Sequence, residues 1–300
     1  MIKNIVLMVL ALLLGMGPGI AQETHLVKIP APFPWPDSEA AALRANKISK
    51  DSIRSFTVAL VNEFSVPTPE KAGLPRQVHE FRFVPLEAGR FYLIALTGAG
   101  AFWSTAVIVP EGGGIRYTEL ESDGGLPFAM QAVDLEGDGV DELVTGSWPA
   151  GYSGASTPAI YWYTVWQFHN GVPEDASARF PDFYRSFVLG QLSYQETLLR
   201  SLQAYDPKAT QFPLAEIAYV RLKFERTVLG HRNAGLDEAL AWARSKMPGL
   251  EVMGIWSLAE MPSPAAGQEL TKLASSPAFG DFAKQALARR TQAMGKRVVK

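Results

Sequence analysis

Asp134-Leu135-Glu136-Gly137-Asp138-Gly139-Val140-Asp141-Glu142-Leu143 is the stretch on which the reading of this chain turns. Its carboxylates stand at alternate positions, two glycines sit among them, and apolar runs flank it: Met130 to Val133 before, Leu143-Val144 after. The flanking runs are short enough for strands, and the acidic segment between them has the glycines of a tight turn. Gly139 supplies the left-handed backbone that lets such a turn fold back on itself. Acids gathered this closely repel one another, and a hard cation relieves that repulsion. Ca²⁺ takes roughly six to eight oxygens from a flexible cage of this kind.

Working outward, Val78 to Phe168 reads as β structure. Val78–Val84 and Arg90–Thr97 are strand-like around a turn at Glu87-Ala88-Gly89. Phe102–Val109 and Ile115–Leu120 flank Pro110 to Gly114, a hairpin signal. Phe128–Val133 enters the acidic turn and Glu142–Gly146 leaves it. Ile160–Phe168 is strongly strand-like and is closed by Asn170-Gly171. Upstream, Ser55 to Phe64 alternates, with Phe56, Val58 and Leu60 on one side and Thr57, Ala59 and Val61 on the other, which predicts a further strand.

After Pro181 the period changes. Phe183, Phe187, Val188 and Leu192 follow helical spacing, with Asp182 as the expected N-cap. Further helices are expected over Leu214–Leu229, Leu236–Met247, Leu250–Glu260, Pro264–Ala274 and Pro277–Arg290. Ser263-Pro264 and Ser276-Pro277 each offer a capping serine with proline at the first helical position. The expected fold class is therefore α+β. A mainly antiparallel β-sheet domain over residues 53–175 is followed by an α-helical domain over residues 176–300.

The first 21 residues have the pattern of a signal peptide. Lys3 gives positive charge, Ile5 to Leu14 is an unbroken apolar run, and Gly19-Ile20-Ala21 offers small residues for cleavage. The run is shorter than the roughly 20 residues a membrane span needs, and no later stretch qualifies, so no transmembrane segment is expected. Residues 22–52, with Pro30, Pro32, Pro34 and Pro36, read as an extended lead-in with a short helix after Asp37. A secreted or periplasmic location follows. With no cysteine in the chain, disulfides cannot stabilise it there. A net charge of -2 also lacks the basic footprint of a nucleic-acid-binding protein.

Two resemblances extend this reading. The acidic turn resembles the calcium loop of FG-GAP/VCBS-type repeats, found between the strands of propeller blades. The resemblance implies side-chain ligands at Asp134, Glu136, Asp138 and Glu142, with a backbone carbonyl from Val140. Glu136 and Glu142 depart from the usual Asp or Asn, and the extra methylene pushes each carboxylate further in. One copy is present, so a single β domain carrying one such loop is expected rather than a propeller. An EF-hand would need Glu where Thr145 stands, and an exiting helix. The segment Leu250–Arg290 resembles a HEAT-like helical repeat through Ile255, Leu258, Leu270, Leu273, Ala283, Ala286 and Leu287. That resemblance implies a surface for protein contact; a small helical bundle packed against the β domain is the alternative reading.

The expected function is thus a non-enzymatic exported binding protein with a structural Ca²⁺ loop and a helical surface for a protein partner. Two alternatives remain open. The aromatic run Tyr161-Trp162-Tyr163-Thr164-Val165-Trp166-Gln167-Phe168 suits a glycan-stacking platform, with Trp103, Trp148 and Tyr152 as neighbours, or else a strand buried on both faces. Asp123 with Asp134, Asp138 or Asp141 could form the acid pair of a hydrolase acting on an envelope polymer. His25, His79, His169 and His231 lack metal-ligand spacing. Gly151 to Ala155 lacks the last glycine of a nucleophile elbow.

Overall fold

A computed structural model describes residues 24–27, 49–64, 75–99, 102–111, 114–123, 130–147 and 160–298. The expected signal peptide, most of the lead-in, and the positions of Trp148 and Tyr152 lie outside the described residues. The described residues fall into two compact units. Those up to Ser147 join Tyr163–Ala176 in the first; Ile160 to Trp162 join the residues from Ser177 onward in the second. The architecture is α+β, with antiparallel strands in the N-terminal part and mostly helices after it.

In the first unit, β1 (Thr24–Val27), β2 (Gln77–Glu87), β3 (Arg90–Ala99), β4 (Phe102–Glu111) and β5 (Gly114–Asp123) form a five-stranded sheet in the order β1-β5-β4-β3-β2. Each neighbouring pair in it is antiparallel. Strands β6 (Met130–Val133), β7 (Glu142–Ser147), β8 (Trp162–His169) and β9 (Val172–Asp175) form a second sheet in chain order. The alternation along β3 and β4 explains the layering. Tyr92, Ile94, Leu96, Val107 and Val109 cluster with Leu143, Trp166 and Phe168 of the second sheet. Leu93, Ala95, Ala106 and Ile108 point to the opposite side, where they meet a helix.

That helix is α1 (Lys50–Phe64), and it replaces the strand expected over Ser55–Phe64. The buried positions are Ile53, Thr57, Leu60 and Val61, the i, i+4, i+7, i+8 pattern of a helix face. Because apolar residues occupy nearly every second position as well, the stretch satisfies both periods. The N-terminal signal decides between them: Ser49 Oγ accepts from the Ser52 backbone N–H at 3.0 Å, and Asp51 occupies the first turn. Arg54 then ties the helix to β2, donating to the Val78 carbonyl with its guanidinium 5.4 Å from the Phe81 ring centre.

One end of the two sheets is clamped by Glu87. Its carboxylate accepts from the backbone N–H groups of Asn170 and Gly171, in the β8–β9 turn, and from the Tyr92 hydroxyl. Gly171 lies at φ 80°, and a Cβ there would stand 3.3 Å from Val109 Cγ1, so the turn requires glycine.

In the second unit, a helical turn Pro181–Phe183 and a π-helical stretch Tyr184–Val188 lead into α2 (Leu189–Gln203). The cap is Phe180 with Pro181 in the first turn, so Asp182 lies inside the helix rather than at its N-cap. The helices α3 (Pro207–Thr227), α4 (Leu236–Ala243), α5 (Pro248–Glu260), α6 (Pro264–Leu273) and α7 (Gly280–Val298) follow. Helices α4 and α5 approach closely, since a Cβ on Gly254 would lie 2.2 Å from the Ala243 backbone nitrogen. Gly280, not Pro277, opens α7; Ser276 instead serves the turn before it, its Oγ accepting from Ala278 and Phe279 N–H.

Polar groups inside the helical unit are mostly paired. Arg290 is buried and donates to the carbonyls of Leu258, Pro262 and Ser263, closing the C-terminal end of α5. Burial opposes ionisation of Glu260, but the charges of Lys223, Arg226 and Arg289 around it hold its pKa below the ordinary value. Glu216 on α3 differs. It is only 3 % exposed, and burial alone pushes its carboxyl up to about 8.

The packing of α1 and the burial of Glu216 each lead to a measurable outcome. Ile53→Ala, at a fully buried position, should lower unfolding stability by about 2–5 kcal/mol, while exposed Glu63→Ala should change it by under ~0.5 kcal/mol; urea titration measures both. For Glu216, the native state keeps a proton that the unfolded chain releases above the ordinary glutamate value of 4.5. Stability should therefore be full below that value and fall as pH rises through about 8. Glu216→Gln should remove the decline, so the gap in melting temperature between variant and wild type should widen from pH 5 to pH 8.

Candidate metal centre

The acidic turn joins β6 to β7, which pair from Met130↔Thr145 to Val133↔Glu142. The chain leaves the turn as a strand, so the helix an EF-hand requires is not there. Gly137 and Gly139 lie at φ 75° and 83°, the left-handed region where other residues are strained. They curl the backbone so that successive N–H groups point inward. Asp134 occupies that centre: its Oδ1 accepts from Gly137 N at 2.6 Å and Asp138 N at 3.1 Å, and its Oδ2 from Gly139 N at 2.8 Å. Asp138 Oδ1 accepts from Val140 N at 2.9 Å. The turn is anchored to β2 by the Asp141 N–H, which donates to the Pro85 carbonyl at 2.8 Å.

Glu142 stands apart from the others. It is 2 % exposed, with Oε2 accepting from Leu135 N at 2.8 Å and Oε1 from Gln167 Nε2 at 2.9 Å. It holds the two ends of the turn together and ties them to β8. Asp134, Glu136 and Asp138 are exposed, and Val140 is half-buried. The five residues expected as ligands thus share one turn without sharing one centre. Among the described residues, no three His, Cys, Asp or Glu side chains gather closely enough to hold an ion. The inward N–H groups are taken up by the turn's own acids, so the carboxylates of Asp134, Asp138 and Glu142 are engaged with backbone N–H groups.

Electrostatics separate the acids further. The N–H of Gly139, then those of Gly137, Asp138 and Glu136, hold the Asp134 carboxyl below its ordinary value despite some desolvation. Asp141 is shifted the other way, by desolvation first and then by the negative charge of Asp134, with Arg82 offsetting part of the effect. The turn thus favours the charge on Asp134 and disfavours the charge on Asp141.

The aromatic run has a different fate. Trp162, Trp166 and Phe168 are buried. Trp166 Nε1 donates to Thr145 Oγ1 at 2.8 Å, and Phe168 meets Tyr92 edge-on at 5.1 Å. Trp162 stacks on Tyr184 at 5.1 Å, with Lys223 Nζ 5.1 Å from its ring centre. This face of the run is core, and a glycan has no access to it. The side chains of Trp103, Trp148 and Tyr152, expected beside it, and that of Asp123, expected in an acid pair, lie outside the described residues.

Helix α2 carries a feature that the sequence pattern alone does not single out. Tyr194, Leu198, Leu202 and Tyr205 are 77 %, 50 %, 47 % and 87 % exposed, at helical spacing along α2 and just past its end. The Leu/Tyr spacing is visible in the sequence; which flank faces solvent is not.

No family model matches the chain, and no curated protein or solved structure matches it either. No described helix is long and apolar enough to cross a membrane.

The clamp assigned to Glu142 can be checked directly. Glu142→Ala leaves the Leu135 N–H and the Gln167 amide without their acceptor, and should cost about 1–3 kcal/mol. Denaturant titration in chelator measures that loss.

Proposed function

We propose that this chain is an exported, non-catalytic binding protein whose β unit is steadied by Ca²⁺ at the acidic turn and whose helical unit makes its contacts. The observation that carries the proposal is the gathering of the exposed acids Asp134, Glu136 and Asp138 on one turn curled by Gly137 and Gly139. Three backbone N–H groups hold Asp134 low, while Asp141 is pushed up first by desolvation and then by the charge of Asp134, with Arg82 offsetting part of it. A divalent ion is the chemistry that relieves this, and the carboxylates of Asp134, Glu136 and Asp138 are exposed, with room to rotate toward one. They and the Val140 carbonyl would hold the ion. Glu142 would contribute by keeping the turn closed. The ion would supply positive charge to a turn that already has its fold; no reaction is assigned to it.

Export rests on Lys3, the apolar run Ile5 to Leu14 and the small residues before Gln22. The contact role rests on the apolar side chains that the helical unit leaves in water, led by Tyr194 and Tyr205.

Calorimetric titration of Ca²⁺ into chelator-treated protein should give one site with a dissociation constant of ~10⁻⁴–10⁻³ M, the range of extracellular modules. Asp138→Ala should abolish the heat and lower the melting temperature in calcium, with only the small loss of its contact to the exposed-side Val140 N–H in chelator. Absence of heat in the wild type, or an equal loss in both conditions, would sink the calcium reading.

A further inference from the structure

We infer that the exposed face of α2 is the seat of a two-fold dimer, in which the same face of a second copy packs against it in antiparallel sense. The inference rests on the proposed contact role of the helical unit and names the partner. Tyr194, Leu198, Leu202 and Tyr205 recur at i, i+4, i+8 and i+11, forming one stripe of exposed apolar side chains. The only charged residues of α2, Glu196 and Arg200, stand two positions away from stripe residues, on a different side of the helix. Both are engaged there: Glu196 pairs with Arg200 at 2.6 Å and with Arg221 at 2.7 Å. The stripe thus lacks the charges a solvated helix face usually carries. An occupant must match it by being uncharged as well, and an identical stripe does so.

The face also has a hollow and a knob at its two ends. Ser186, Phe187, Gly190, Gln191, Tyr194 and Gln195 line a shallow surface hollow. Tyr205 projects at the other end, the most exposed large apolar side chain among the described residues. An antiparallel pairing centred on Leu198 sets Leu198 against its own copy and Tyr194 against Leu202. It also sets Tyr205 over Gln191, at the rim of the Gly190 hollow. Each hollow then receives a knob, twice over, as an isologous interface requires. Antiparallel alignment also sets the two helix dipoles in opposition, which favours it over a parallel one. Two tyrosines at ~150–250 Å² each and two half-exposed leucines bury roughly 500 Å² per copy, about the 1,000 Å² in total that a specific interface needs.

Light scattering on the exported chain should give twice the mass of a single copy. Leu198→Glu should return it to the monomer mass. So should Gly190→Phe, which fills the hollow at a position where an added Cβ meets nothing within 4 Å and the monomer has no reason to unfold. Because the chain has no cysteine, Leu198→Cys places its single thiol at the two-fold axis, and mild oxidation should yield a covalent dimer. A wild-type monomer at every concentration overturns the inference. So does a dimer that both variants leave intact, or one that Leu198→Cys fails to cross-link. The calcium titration does not depend on this face, so a monomer that still binds calcium sinks the self-pairing alone.

Discussion

The constraint on which the β unit depends is that its five-stranded sheet must be dry on both faces. Strands β3 and β4 carry apolar side chains at successive positions, so neither face can be left to water. Helix α1 covers one side with Ile53, Leu60 and Val61; the second sheet covers the other with Leu143, Trp166 and Phe168. This layering explains the aromatic run. A strand lying over the Tyr92–Val109 face needs large apolar side chains to fill the gap between sheets, and Trp166 and Phe168 supply them. Their polar demand is met locally, since Trp166 gives its one N–H to Thr145.

Much of this layering is legible in the sequence because its strands are short apolar runs bounded by turn signals. The turns at Ala88-Gly89 and Asn170-Gly171 carry residues that tolerate positive φ, as Gly89, Asn170 and Gly171 do. The helix α1 is not legible in that way. In a run such as Phe56-Thr57-Val58-Ala59-Leu60-Val61, too many positions are apolar for either period to stand out. Only the cap hydrogen bond at Ser49 breaks the tie, and a serine alone is weak evidence. Strands β1 and β9 are four residues each and exist through their neighbours, which no local pattern can reveal. The acidic turn is legible in its backbone and its strand setting; its hydrogen-bond partners are not, because those depend on which way each carboxylate rotates.

The two units handle polar backbone in complementary ways. In the acidic turn, carboxylates satisfy N–H groups: Asp134, Asp138 and Glu142 together accept from five of them. In the helical unit, guanidinium groups satisfy carbonyls: Arg290 takes three, and Arg226 takes that of Ala234 while pairing with Glu260. A chain without disulfides needs such closures at its irregular points, because an unpaired buried backbone group costs as much as a hydrogen bond contributes.

For the acidic turn this closure also sets how strongly an ion can be held. A carboxylate has about four acceptor sites, and Asp134 already commits three. An ion arriving there competes with N–H groups that are good donors, and it gains a preformed turn in exchange. The first effect weakens binding; the second removes the entropic cost of folding the loop around the ion. The exposed Glu136 and Asp138 must then still be drawn inward, each losing side-chain freedom. Under the proposed calcium reading, these terms would combine into a site that answers to millimolar rather than micromolar calcium, with a turn that keeps its shape when the ion leaves. A ligand that steadies an already folded turn can raise stability only by the logarithm of its occupancy. The turn is thus better suited to a constant ionic surrounding than to switching.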